Sequence, residues 1–204
     1  MSGDSVRVAQ PLFPVEGQGS IPMSPLQFEI EIIDQKKAML LNKMWHSRMP
    51  RADFYNICNP CFGAIYKNIY YASAMWSLPM AANRLKNGSF CLELRRLAIN
   101  DDAPKNTASR IICIMSKWIK VNMPHIYKLI SYQDTGVHSG TIYKASGWQI
   151  ASKCKFVSWS VHSKRPGKIQ QSMAPKIRWE KQIRPEPEPT IKPSKKSSQK
   201  GLFF

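Results

Sequence analysis

A mixed α/β domain is predicted by three observations in this 204-residue chain. The stretch from Cys91 to Trp148 reads in order as a strand, a loop opening a helix, a second strand and a short helix. Upstream, Cys61–Lys67 and Ile69–Ser77 are two apolar runs separated by a tight turn near Asn68, the signature of a hairpin. Further upstream, Phe28, Ile30 and Ile32 alternate with Glu29 and Glu31, the two-residue period of a half-buried strand.

Each element has a local cause. Residues 1–25 are rich in Gly, Pro and Ser without periodicity and are expected to form a mobile leader. Asp34 is placed to cap a helix over about Gln35–Met44. Pro79 and Asn87-Gly88 mark a loop over Leu78–Ser89. In the strand at 90–99, Phe90, Leu92 and Leu94 share one parity but Leu97 and Ile99 the other. A phase slip of one residue inside a strand predicts a β-bulge. A helix over about Thr107–Val121 follows from the stripe Ile111, Met115, Trp118, widened by Ile112, Ile114 and Ile119, with Pro124 past its end. Tyr127–Tyr132 reads as a short central strand. A helix over about Ser139–Ser146 is closed by Gly147. Gln149–Ser160 gives one or two weak strands.

The formal charge is +17, from 30 Lys and Arg against 13 Asp and Glu, which favours a polyanionic partner and nucleic acid first. Five cysteines, an odd number, without a secretory signal, point away from a disulfide scaffold and toward a reduced, cytoplasmic protein. The apolar runs are far shorter than the roughly 20 residues of a membrane span. Cys58-Asn59-Pro60-Cys61 lacks a second cysteine pair and precedes a strand, so it reads as structural. Cys91, Cys113 and Cys154 read as small buried residues. The domain is expected over 26–162. From Ser163 onward, eleven Lys and Arg, three Glu and six Pro give a basic tail of net +8, expected to be largely disordered. In it, Lys176, Arg178, Lys181 and Arg184 are suited to DNA phosphates and Trp179 to stacking on a base.

Some segments carry chemistry. The loop Asp101–Ser109 opens a helix, whose unpaired N–H groups suit a pyrophosphate; Thr107 and Ser109 offer hydroxyls and Lys105 a charge, while an ordinary helix cap is the alternative. Asp134 follows the central strand, where α/β sites open, although an Asp before Thr-Gly is also a common turn former.

This order resembles the coenzyme A-binding half of GNAT acyltransferases. Asn106-Thr107-Ala108 stands where that family places Gly-x-Gly/Ala, with the leading Gly and the usual preceding Arg or Gln missing, and Tyr143-x-x-x-Gly147-Trp148 resembles its Tyr-x-x-x-Gly-Phe. WHSRMP at 45–50, Glu93-Leu94-Arg95-Arg96-Leu97, DDAPKNTASR at 101–110, SYQDTGVHSGTIYKASGW at 131–148 and APKIRWEK at 174–181 together resemble the Mom-like DNA adenine-modifying proteins of phages more closely. The resemblance implies an α/β (α+β), GNAT-like fold with a central, mostly antiparallel mixed sheet flanked by helices. It also implies acetyl-CoA as donor, with the pantetheine arm along Leu97, Ala98 and Ile99 and the pyrophosphate at Lys105, Asn106, Thr107, Ala108 and Ser109.

The activity it implies converts the exocyclic amine of adenine in double-stranded DNA to the carbamoylmethyl form, in the cytoplasm of a bacterial host, shielding phage DNA from restriction. The family's functional His, Asp and Tyr fall on His46, Asp134 and Tyr143. Tyr143 would protonate the leaving thiolate, and His46 or Asp134 would take the amine's proton. Acetyl transfer alone gives N-acetyladenine, so the carbamoylmethyl product points to a second donor or a metal. His46, Asp134 and His138 are the candidate iron ligands. Trp45, Trp76, Tyr132 and Trp148 are candidates to hold an extruded base. Two alternatives stand beside this reading: a conventional N-acetyltransferase acting on a protein or small-molecule amine, and a non-catalytic DNA-binding protein that keeps the fold.

Overall fold

In a computed structural model of the chain, the described residues are 6–13, 15, 19–46, 57–79, 90–154 and 174–186. They form strands β1 (Arg7–Ala9), β2 (Glu29–Ile32), β3 (Cys61–Tyr66), β4 (Ile69–Ser77), β5 (Cys91–Ile99), β6 (Lys128–Asp134), β7 (Gln149–Cys154) and β8 (Lys176–Gln182). The helices are α1 (Gln35–Trp45), α2 (Thr107–Asn122) and α3 (Thr141–Ala145). One eight-stranded sheet runs in the order β1-β2-β3-β4-β5-β6-β8-β7. All its neighbouring pairs are antiparallel except β5 with β6.

Sequence chemistry accounts for the connections. Asp34 caps α1 by accepting from the Lys37 N–H at 2.8 Å. Lys67 and Asn68 both have positive φ, 47° and 65°, which a two-residue hairpin turn between β3 and β4 requires. The parallel pair β5/β6 cannot be joined by a hairpin, and α2 is the crossover between them.

Helices cover both faces of the sheet. Ile111, Ile112, Met115 and Ile119 of α2 are at most 2% exposed and pack with Phe62, Ala74, Trp76, Leu92 and Leu94 in the main core. The opposite face carries α1 and a smaller cluster of Ile33, Ala38, Cys58, Cys61 and Met75, with the Ser73 hydroxyl donating to the Ala38 carbonyl at 3.3 Å. Successive strand residues face opposite sides, so Ala74 and Trp76 meet α2 while Ser73 and Met75 meet α1.

The bulge expected in β5 is present. The β4–β5 register passes from Met75↔Arg96 to Trp76↔Leu94, leaving Arg95 as the extra residue. Its insertion returns Leu97 and Ile99 to the α2 face beside Leu92 and Leu94, which explains the phase slip in the sequence.

Several expectations need correction. The proposed disordered tail contains β8, which lies inside the sheet between β6 and β7, so the domain does not end at residue 162. Composition hid an alternation: Ile177, Trp179 and Ile183 share one parity, and Trp179 and Ile183 are buried. Within the proposed leader, Arg7–Ala9 pairs with β2; three residues are too few to show a period. Cys58 and Cys61 are buried, as a structural role requires, but Cys91 and Cys113 are only partly buried. The loop at 80–89, the second weak strand at 155–160 and residues 47–50 lie outside the described residues.

Trp179→Ala should cost roughly 3–5 kcal/mol in urea unfolding, the loss typical of a fully buried large aromatic. A loss below about 1 kcal/mol would mean that β8 is not part of the cooperative core.

Candidate active site at a fork between strands

The β5–β6 ladder runs from Cys91↔Lys128 to Leu94↔Ser131 and stops there. Beyond that point β5 stays with β4, through Ala98↔Ser73 and Ile99↔Ala72, while β6 stays with β8. The two strands therefore part at the Arg95 bulge. The edge of Leu97, Ala98 and Ile99 that faces away from β4 no longer has β6 beside it. These are the residues expected to lie along a pantetheine arm.

A hydrogen-bonded chain closes the vertex. The Ser131 hydroxyl donates to the Leu94 carbonyl at 3.3 Å, and the Tyr143 hydroxyl lies 2.9 Å from Ser131 Oγ. Ser131 has one hydroxyl proton, so Tyr143 is the donor to it. Burial raises the Tyr143 pKa against the smaller lowering effect of the Ser131 hydrogen bond, and the phenol keeps its proton at neutral pH. The Tyr143 ring is buried and stacks on Trp179, centroids 5.4 Å apart and planes 19° from parallel.

At the opening of α2, Asn106 has φ 68°, a left-handed conformation that Asn tolerates better than most residues and that Gly otherwise supplies. Helix geometry leaves the N–H groups of Ala108 and Ser109 without intrahelical acceptors. The two hydroxyls expected to serve a phosphate are used otherwise. Thr107 Oγ1 donates to the Pro104 carbonyl at 2.6 Å and is buried, and Ser109 Oγ donates to the Asn106 carbonyl at 3.0 Å. Lys105 is exposed. What this loop presents is main-chain N–H and one lysine.

His46 ends α1, its N–H donating to the Asn42 carbonyl at 2.9 Å. With Lys43, Met44, Trp45, Ile99, Asn100 and Asp101 it lines a cavity of about 430 Å³ at the far end of β5. Its pKa is lowered by desolvation first, then by the charges of Arg96 and His138. Arg96, the residue after the bulge, is itself desolvated and pushed down to about 10, with Arg95 adding to the shift. His138 is lowered by desolvation, against an opposing pull from Asp134, and its ring centroid lies 6.3 Å from that of Tyr143. Both imidazoles are therefore neutral at pH 7 and able to accept a proton.

Asp134 takes the turn-former role: its Oδ1 accepts from the Gly136 N–H at 2.9 Å and its carbonyl from the N–H groups of Val137 and His138. Among the described residues no group of three His, Cys, Asp or Glu side chains is placed to hold a metal, so His46, Asp134 and His138 are not assembled as an iron site. Trp76 and Trp148 are core residues packed on each other at 6.3 Å and do not face an extruded base, whereas Trp45 and Tyr132 are partly exposed.

The expected DNA-binding set is mostly structural. Trp179 is 2% exposed. Lys181 Nζ donates to the Ser146 carbonyl at 2.6 Å, and Arg184 Nη1 to the carbonyls of Ile126 at 2.7 Å and Met123 at 3.3 Å. Arg178 Nε pairs with Glu180 at 2.8 Å. The charges of Lys181 and Arg184 close the ends of α3 and α2, where carbonyls are left over. Lys176, in the first position of β8, is partly exposed. Sequence reasoning missed Ser131, Gln133 and Arg96. A signal for two of them was present: Ser131 and Gln133 follow Leu129 at a period of two, on one face of β6 that is buried throughout.

A profile of the Mom protein family matches residues 27–188. The chain belongs to the Mom protein family. No curated protein sequence matches it. Among solved structures, a Bacillus subtilis acetyltransferase in complex with CoA is 11% identical, with 76% of this chain and 98% of that chain covered and a TM-score of 0.54. A Salmonella typhimurium protein determined with its cofactor acetyl-CoA is 9% identical, covering 81% and 99%, with a TM-score of 0.54. The ribosomal-protein-S18-alanine N-acetyltransferase of Escherichia coli is 11% identical, covering 78% and 96%, with a TM-score of 0.51. At these identities the likeness establishes the GNAT fold of the Mom-family chain. No helix among its described residues is long and apolar enough to cross a membrane.

The lowered imidazoles carry a pH signature. A folded pKa below the unfolded value near 6.5 means that the unfolded chain binds more protons in the window between them. Stability then rises with pH through that window and is lost as pH falls below about 6.5. Urea unfolding should show a larger stability loss on acidification in the wild type than in a His46→Gln/His138→Gln variant. An equal or smaller loss in the wild type would contradict the assigned environments.

Proposed function

We propose that this Mom-family chain is an acyltransferase-like enzyme that uses a CoA thioester to modify the adenine exocyclic amine of double-stranded DNA, the finished base carrying a carbamoylmethyl group. The observation that carries this reading is the β5–β6 fork with the Tyr143 hydroxyl at its vertex. An extended thioester arm finds main-chain hydrogen-bonding groups along Leu97–Ile99. Its pyrophosphate finds the N–H groups of Ala108 and Ser109 and the positive end of α2. Its sulfur end is directed to the vertex, where a protonated phenol can neutralise a departing thiolate.

On the acceptor side, an adenine amine is a weak nucleophile because its lone pair is delocalised into the ring. A neutral imidazole at His46, close enough to Arg96 after the bulge and to His138 beside Tyr143 to feel both charges, can take the proton released on attack. Asp134 serves this site through the turn it holds. A net charge of +17 favours a polyanion such as DNA, and reaching the amine requires the base to leave the duplex. Attack on the thioester carbonyl forms an N-acyl bond and releases CoA thiol, whereas the carbamoylmethyl group bonds the amine to a methylene carbon and ends in an amide, so both the N–CH2 bond and the amide nitrogen require a second donor and a reaction beyond this acyl transfer. The reading places the enzyme in a phage-infected bacterial cytoplasm, protecting phage DNA from restriction.

Mass spectrometry of nucleosides from bacteria producing the protein should show an adenosine species heavier by the carbamoylmethyl increment. Unmodified DNA together with an acetylated protein or small amine would instead establish a conventional N-acetyltransferase. Absence of any CoA binding would leave a DNA-binding protein that keeps the fold. Ala108→Trp, which places a bulky ring at the helix opening, should abolish acetyl-CoA binding in calorimetry of the folded variant; unchanged binding would misplace the pyrophosphate. Tyr143→Phe preserves the Trp179 stack and removes the proton, and turnover should fall by roughly 10²–10⁴-fold. Full activity would make Tyr143 a core residue only.

A further inference from the structure

Beyond the fork, the structure holds a buried polar residue that the reading above does not use. Gln133, 2% exposed in β6, spends both ends of its amide. Its Oε1 accepts from the Trp179 indole N–H at 2.7 Å, and its Nε2 donates to the His138 carbonyl at 2.6 Å. Each partner touches Tyr143: the Trp179 ring stacks on it, and the His138 ring lies at 6.3 Å. The chain around this amide admits no extra volume. Gly140 has φ 78°, and a Cβ there would collide with Gln133 Oε1 and lie 2.8 Å from Trp179 Cζ2.

The segment from Asp134 to Gly140 is tied down on its other sides as well. Asp134 holds the turn through Gly136, Val137 and His138, while the Thr135 N–H and hydroxyl both donate to the Pro175 carbonyl, at 3.2 and 2.7 Å. These contacts hold the turn as far as the His138 N–H, leaving its carbonyl to a partner from another element. The bond from Gln133 fixes its far end, at the residue that bears the imidazole.

We propose that Gln133 is a positioning residue of the active site: its amide fixes the main chain at His138, so that the exposed imidazole stands beside Tyr143, and it holds the Trp179 ring on which Tyr143 stacks. The role in turnover rests on the proposed function; the placement of His138 does not. Two features separate this from ordinary packing. A packing residue of this size at a position 2% exposed would be Leu or Met, and burying an amide is unfavourable unless both of its ends are bonded. Its two bonds also run to two different elements, the β6–α3 turn and β8, which no single apolar contact would join in a fixed register.

Gln133→Glu is the informative variant, because the carboxylate still accepts from the Trp179 indole but, when ionised, cannot donate to the His138 carbonyl. Gln133→Leu, which keeps the volume and removes both bonds, is the companion. Fold is monitored by circular dichroism. The His138 imidazole is followed by NMR, assigned through His138→Gln. Acetyl-CoA affinity is measured by calorimetry, and turnover on DNA by nucleoside mass spectrometry.

In the folded Gln133→Glu protein we expect the His138 resonances to move, and in Gln133→Leu, which also frees the Trp179 ring stacked on Tyr143, turnover to fall by roughly 10²-fold, the loss typical of a misplacement of about 1 Å. Acetyl-CoA affinity should stay within about twofold. His138 resonances that coincide with those of the wild type in both folded variants overturn the proposal, as does a parallel loss of acetyl-CoA binding, which would make Gln133 a general support of the fold. If Gln133→Glu does not fold, the same criteria apply to Gln133→Leu. If the wild type modifies no DNA, the functional reading fails by itself, and the NMR comparison still decides whether Gln133 places His138.

Discussion

The parting of β5 from β6 is the constraint on which the site depends. Parallel strands stay together only while both edges can exchange evenly spaced hydrogen bonds. Here one inserted residue, Arg95, changes the direction of β5, and β4 holds the remainder of that strand on its far side. The main chain from Leu97 to Ile99 is thereby kept rigid by one neighbour while its other edge faces the opening. A ligand that supplies its own amide groups can fill that gap as a further strand would, the same physics by which extended peptides add to a sheet edge.

The rest of the molecule holds the opening in shape. α2 crosses over to make the parallel pair possible and brings its N-terminus, with the left-handed Asn106, to the end of β5. On the other side β8 pairs with β6 as far as Asp134 and is itself covered by β7, so the arm of the fork that carries Ser131 and Gln133 is held along the edge away from the opening. Trp179 on β8 joins this arm to α3 by stacking on Tyr143 and bonding to Gln133. Aromatic stacking and a buried hydrogen bond thus act on the same side chain, which leaves Tyr143 little freedom at the vertex.

Much of this was legible in the sequence. The α1 cap at Asp34, the turn near Asn68, the bulge in β5 and the length of α2 all followed from local chemistry that needs no knowledge of distant residues. The fork did not, because the end of a ladder is a property of two strands and no periodicity records it. β8 was obscured for a different reason: Ile177 and Trp179 within it, and Ile183 just past its end, share one parity inside a Pro-rich basic stretch, and composition outweighed parity. The cations beside them read as a phosphate-binding set, yet Lys181 and Arg184 are used on carbonyls at the ends of α3 and α2. Of the three residues carried over by resemblance, Tyr143 reaches the vertex, His46 lines the cavity at the end of β5, and Asp134 holds a turn.

Hydrogen exchange read amide by amide, with and without acetyl-CoA, tests the central claim that the fork is the donor site. Leu97–Ile99 contribute amides beside the opening, and Ala108 and Ser109 offer N–H groups at the start of α2. The account predicts that acetyl-CoA slows exchange within Leu97–Ile99 and at Ala108 and Ser109, while β2 and β3 are unaffected. Protection confined to another surface, such as the pocket bordered by Lys37, Lys67 and Tyr70, or bound acetyl-CoA that leaves the fork amides unprotected, would contradict it.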